Sequence, residues 1–143
     1  MIRVEIPGET ISRLISEVLT SGGEATPDAL AGAAQHQVLP LFEDFMGCWA
    51  LTADGVLVFF AWDDPSELFP VASNTIDAGG AHVALARGSR RYPDLAGMAP
   101  KRPPDGVTCI QCDGSGRLAN VPANVVCICG GLGWHPPITG SAA

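Results

Sequence analysis

The chain has 143 residues, 47% of them hydrophobic and 16% charged, with a net charge of −7. That is enough apolar material for one domain core plus a small appendage, and too much for a disordered chain. No apolar run approaches the roughly 18 residues a membrane-spanning helix takes, and an acidic chain without interleaved aromatics is a poor partner for nucleic acid.

In chain order, Ile2, Val4 and Ile6 alternate with Arg3 and Glu5, the period of a short half-buried strand ended by Pro7 and Gly8. Ile11, Leu14, Ile15, Val18 and Leu19 fall at i, i+3, i+4, i+7 and i+8, which predicts an amphipathic helix with Thr10 as N-cap and Gly22 and Gly23 as its stop. Thr26, Pro27 and Asp28 read as N-cap, first helical position and dipole-favourable acid of a second helix reaching His36 or Leu39. Pro40 is expected to open a third, shorter helical turn through Leu41, Phe42 and Phe45 to Gly47.

The segments CWALT at 48–52 and VLVFFAW at 56–62 flank Asp54 and Gly55 and predict a β-hairpin, with Trp49 and Trp62 placed to pair across it. Asp63, Asp64, Pro65 and Ser66 break the second strand. The two carboxylates are the one candidate for metal-assisted or acid–base hydrolysis, although a turn-initiating Asp-Asp-Pro is sufficient reason for them. A further strand is expected over 81–86. His36 and His82 stand far apart with no nucleophile motif nearby and read as structural or surface residues; Cys48 reads as a small buried apolar residue. The fold class is α+β, N-terminal helices with a small antiparallel sheet over residues 1–92. A Pro-rich linker over 93–107, a four-cysteine zinc-binding module over 108–135 and a flexible tail over 136–143 follow.

Charge is unevenly spread. Residues 1–80 carry twelve Asp and Glu against two Arg, a net of −10, whereas 81–143 carry six Lys and Arg against three Asp, a net of +3. Pairing of the basic cluster between Arg87 and Arg102 with the acidic half is the expected use of that asymmetry.

The module rests on CIQCDGSG at 109–116 and CICGGLGW at 127–134. Cys109, Cys112, Cys127 and Cys129 form two tight pairs, and two such pairs supply the four thiolates of a closed tetrahedral structural zinc site. Gly114, Gly116, Gly130, Gly131 and Gly133 suit turns that need positive φ and that aim backbone N–H groups at sulfur. His135 is expected beside the metal shell or exposed rather than within it. A redox dithiol and a pair of disulfides are the alternatives. The residues ahead of Cys109 do not form the strand-to-helix context of a redox motif, and residues 1–7 do not read as a signal peptide, so a cytoplasmic protein is expected.

At Cys109, Cys112, Gly114 and Gly116 the chain resembles the C-x-x-C-x-G-x-G repeat in the cysteine-rich region of DnaJ-type chaperones. Cys129, Gly131 and Gly133 keep the second half of a repeat, with Cys127 one residue closer than the pattern places it. The resemblance spans 109–134, implies one zinc ion at most, and comes without the His-Pro-Asp signature of a J-domain. Leu39, Pro40 and Phe45 followed by the hairpin make residues 28–88 similar to the SUKH superfamily, many of whose members look like immunity or protein-interaction domains.

Together these features predict a non-enzymatic, zinc-binding, adaptor or chaperone-like protein that binds a protein partner through Leu132 and Trp134. An immunity or antitoxin-type inhibitor using the acidic N-terminal half and a small subunit of a larger assembly are the alternatives.

Overall fold

Pro7 and Gly22 bound the first helix, α1 (Gly8–Ser21), in a computed structural model that describes residues 1–72, 75–118, 127 and 129–136. Its stripe of Ile11, Leu14, Ile15 and Val18 is buried as the spacing demands. Pro7 and not Thr10 is the N-cap, because the Pro7 carbonyl already accepts from the N–H groups of Thr10 and Ile11. Gly22, at φ 84°, turns its N–H back onto the Val18 carbonyl at 2.7 Å and ends the helix. The second helix, α2 (Pro27–His36), starts on the Thr26 hydroxyl, which accepts from the Ala29 N–H at 3.2 Å.

Strands β1 (Leu39–Glu43), β2 (Gly47–Leu51), β3 (Leu57–Ala61) and β4 (Phe69–Pro70) form one antiparallel sheet in sequence order. The helical turn expected from Pro40 is therefore strand β1. Pro40 lies opposite Ala50 with a bulge at the next residue, and an edge strand tolerates the missing N–H. The hairpin forms with Cys48 opposite Phe60 and Ala50 opposite Val58, and Gly55 takes φ 82° in its turn. Trp49 does not pair with Trp62. Its register partner is Phe59, met edge-on at 5.2 Å, while Trp62 meets Phe60 at 6.1 Å. The strand expected over 2–6 shrinks to one bridge between Arg3 and Val56. The Val71 N–H takes the Leu57 carbonyl, so the N-terminal segment gains only the Leu57 N–H and the Gly55 carbonyl.

Residues 81–86 are helical, within α3 (Thr75–Arg91). Ala81, Ala84, Gly88 and Tyr92 are buried at i, i+3, i+7 and i+11, so the segment expected as a strand instead presents one helical face of small residues packed close to the sheet. The 3-10 helix Pro93–Met98 follows at once. Its Leu95 and Met98 are buried in the core, so the beginning of the segment expected as a surface linker is packed chain. Strands β5 (Val107–Thr108) and β6 (Trp134–His135) pair to close the C-terminal module. Of the tail expected over 136–143, residues 137–143 lie outside the described residues. No described helix is long and apolar enough to cross a membrane.

The sheet is covered on both faces. Leu39, Leu41, Leu51 and Leu57 pack with α1, α3 and the 3-10 helix, while Cys48, Ala50, Val58 and Phe60 pack with Ala29 and Ala33 of α2. Arg91 clamps the layers: its Nη1 donates to Glu43 Oε2 at 2.7 Å, and Glu43 Oε1 accepts the Thr26 N–H at 3.0 Å. Of the basic cluster, Arg91 meets the acidic half in this way. Arg90 and Arg102 instead donate to carbonyl oxygens of the C-terminal segment, at Gly131 and Gly106.

Candidate metal centre

Two turns bring Cys109, Cys112, Cys127 and Cys129 together, all four buried, with their sulfurs within 4.8 Å of one another. The Cys109 and Cys127 sulfurs lie 3.4 Å apart and those of Cys112 and Cys129 3.7 Å apart. A tetrahedron of sulfurs about 2.3 Å from a central ion has edges of roughly 3.8 Å, so the donor set fits a single closed metal site. Among the described residues this is the one group of three or more such ligands close enough to share an ion. All five cysteines are free thiols.

The glycines build the cage through a local two-fold relation. In each half the sulfur of the C-x-G-x-G cysteine accepts the N–H of the second glycine: Gly116 on Cys112 and Gly133 on Cys129, each at 3.3 Å. Gly114, Gly116, Gly131 and Gly133 all have φ between 77° and 89°, a region glycine enters without a Cβ clash. The halves also face each other closely, since a Cβ on Gly116 would run into the Gly131 carbonyl and one on Gly133 into that of Gly114. The Cys109 N–H donates to the Gly133 carbonyl at 2.9 Å, joining one half to the other.

The thiols are electrostatically unequal. Desolvation raises Cys112, but the Gly116 N–H and the hydrogen bonds of the neighbouring thiols outweigh it and bring the group down to about 7. Desolvation, with the three neighbouring thiols, pushes Cys127 up to about 12. The cluster thus accepts a first negative charge readily and resists the next, and a bound cation removes that resistance.

Helix α3 carries the module. His82 Nε2 sits 3.0 Å from the Trp134 carbonyl oxygen, Arg90 Nη2 donates to the Gly131 carbonyl at 2.7 Å, and a Cβ on Gly130 would lie 2.9 Å from Ala86 Cβ. The second knuckle is therefore seated on one face of α3 while another face packs on the sheet. Desolvation lowers the His82 pKa, against hydrogen bonds to the Trp134 and Cys129 backbones.

This seating sets the exposure of the two residues expected to bind a partner. Trp134 is only 8% exposed, because its indole lies against His82, and Leu132 is half-buried. Among the described residues of the first knuckle, Ile110 is 79% exposed. His135 lies outside the cysteine set, with Nδ1 on the Pro136 carbonyl. Asp63 and Asp64 are exposed, and Asp64 Oδ1 accepts the Ser66 hydroxyl at 2.6 Å, the arrangement of a turn. His36 pins that turn to α2 through the Pro65 carbonyl, and Cys48 is buried in β2, where desolvation pushes its thiol up.

Sequence reasoning did not find His82 and Arg90 as supports of the module. The available signal was their eight-residue spacing on one helix, hidden while 81–86 reads as a strand. Comparison with protein-family models, with curated proteins and with solved structures finds no match to this chain.

Proposed function

We propose that this is a non-enzymatic, zinc-braced protein-interaction domain of the adaptor or chaperone-like kind. The observation that carries the reading is the closed set of four buried cysteines. Catalytic zinc keeps a position open for water or substrate, whereas four protein thiolates fill a tetrahedral shell and leave the ion a structural role. Zinc suits the donor set because soft thiolates and a tetrahedral arrangement favour it. The resemblance of the two knuckles to DnaJ-type half-repeats supports the same ion.

Holding a metal here fixes the second knuckle on α3 and presents Ile110 from the first. A small module lacking a core of its own draws order from metal binding, and what that order serves is a surface for another protein.

The test is elemental analysis of protein purified without added zinc, with a thiol count before and after denaturing chelation, followed by partner capture with metal-loaded and chelated bait. One zinc per chain, four thiols released and capture that depends on the metal is the expected result. A metal-free chain, or a captured partner indifferent to chelation, overturns the reading.

A further inference from the structure

The two knuckles meet the rest of the protein unequally. On the second, Cys127, Cys129, Gly130, Gly133 and Trp134 are buried, whereas on the first Cys109 and Cys112 are buried and Gln111, Asp113, Ser115 and Arg117 are exposed beside Ile110. Helix α3 accounts for the difference. His82, Ala86 and Arg90 recur every fourth residue along one side of it, and they meet the Trp134 backbone and ring, the close approach of Gly130 and the Gly131 carbonyl. The helix itself is anchored without the module. Ala81, Ala84 and Gly88 are buried on its sheet side, where a Cβ on Gly88 would meet Leu41 and Met98.

The first knuckle has no such seat. Among the described residues, no hydrogen bond joins 107–118 to α3 or to the four-stranded sheet; those that leave the segment end on Arg102 or on the second knuckle. The Cys109 N–H reaches the Gly133 carbonyl, and Val107 and Thr108 pair with His135 and Trp134 in a ladder two residues long. So short a ladder is marginal in water by itself. Apolar packing adds little, because Leu118 is the one described side chain that packs on the four cysteines. What remains is sulfur facing sulfur, Cys109 to Cys127 at 3.4 Å and Cys112 to Cys129 at 3.7 Å. Each close pair takes one sulfur from either knuckle, so an ion among them ties the first knuckle to the second.

We propose that the module is a metal-held flap: α3 keeps the second knuckle on the body of the domain, and the bound metal is what holds the first. Metal binding adds to a seat that the second knuckle has from α3 and supplies the one that the first lacks. Withdrawing the ion returns conformational freedom to residues 109–118 and leaves Cys127 and Cys129 on α3 as half of the site. Ile110 loses its fixed place with them. Contact made through the first knuckle therefore follows metal supply, whereas contact made through α3 and the second knuckle does not. The inference rests on the zinc-braced reading above and names how the metal regulates it.

The test is amide hydrogen exchange of the full chain, read residue by residue by NMR, in its zinc-loaded form and after chelation. Chelation is expected to speed exchange over 109–118 by about a hundredfold and over 129–135 by less than about tenfold, and to leave the Trp134 indole resonance, assigned with Trp134→Phe, close to its loaded position. Removing the seat with His82→Ala and Arg90→Ala together should let chelation free both knuckles alike. Circular dichroism checks that this variant folds; Arg90→Ala alone, which touches an exposed side chain, should move 129–135 the same way by a smaller factor. Loss of protection in both knuckles of the wild type, protection of 109–118 that survives chelation, or a seat variant indistinguishable from wild type would each overturn the proposal. One zinc per chain and metal-dependent capture, with both knuckles released together, sinks the flap and leaves the zinc-braced reading standing. Unequal release with metal-independent capture does the reverse, and a chain that takes up no zinc overturns both.

Discussion

His82 Nε2 lies 3.0 Å from the Trp134 carbonyl oxygen, and its ring meets the Trp134 indole nearly edge-on at 4.7 Å. One buried histidine on α3 thus receives both the backbone and the side chain of the strand that closes the metal module. Trp134→Ala is expected to cost about 3 kcal/mol, the usual range for truncating a buried tryptophan. The loss should appear in thermal unfolding together with faster amide exchange in the module.

The same contact sets a pH response. Folding holds the His82 pKa below the ordinary 6.5 because burial disfavours the imidazolium. The unfolded chain therefore takes up the proton first, and the stability that neutral His82 contributes is present above 6.5 and lost as pH falls toward the folded value. Stability should rise with pH through that window in wild type and more shallowly in His82→Gln. Identical slopes would show that His82 does not carry the effect.

Metal occupancy follows pH in the same direction for a different reason. Cysteine must lose its proton to bind metal, and with Cys127 pushed up to about 12 the ion has to displace protons at neutral pH. Competition with a chromophoric chelator should show affinity rising from acid to neutral pH, with protons released to the buffer. Cys109→Ser should lose stoichiometric metal at every pH, because three thiolates and a hydroxyl no longer make the set.

Two glycine substitutions are expected to act in opposite directions. Gly133→Ala places a methyl against the Gly114 carbonyl at φ 85° and should weaken metal binding severely. Gly79→Ala, in helix α3 with open space around it, should raise stability by about 0.5–1 kcal/mol. Chemical denaturation of the two variants with and without zinc separates the effects.

Glu43 joins Arg91 of α3 to the N-terminus of α2 across the edge of the sheet. Removing one partner of such a little-exposed pair leaves the other uncompensated, so Glu43→Ala is expected to cost about 3 kcal/mol. A double-mutant cycle with Arg91→Ala should recover part of that loss, and strict additivity would argue that the pair is not coupled.

The features legible in the sequence were those fixed within a few residues. The α1 stripe, the Thr26 cap of α2, the Asp54-Gly55 hairpin and the cysteine–glycine spacing each depend on local periodicity, a single side-chain cap or a turn that only certain residues make. They read the same in the chain and in the fold. Residues 39–47 and 81–86 did not, because short apolar runs fit the strand period and the helix period alike. What decided them was partner supply: β2 offers its free edge to Leu39 and Phe42, while Ala81, Ala84 and Gly88 let a helix approach the sheet closely. Trp134 shows the same division. Its position beside the last glycine of the knuckle is sequence, but whether it faces solvent or His82 depends on a helix more than forty residues earlier, and burial of an aromatic ring is settled only when the surfaces that exclude water from it are assembled.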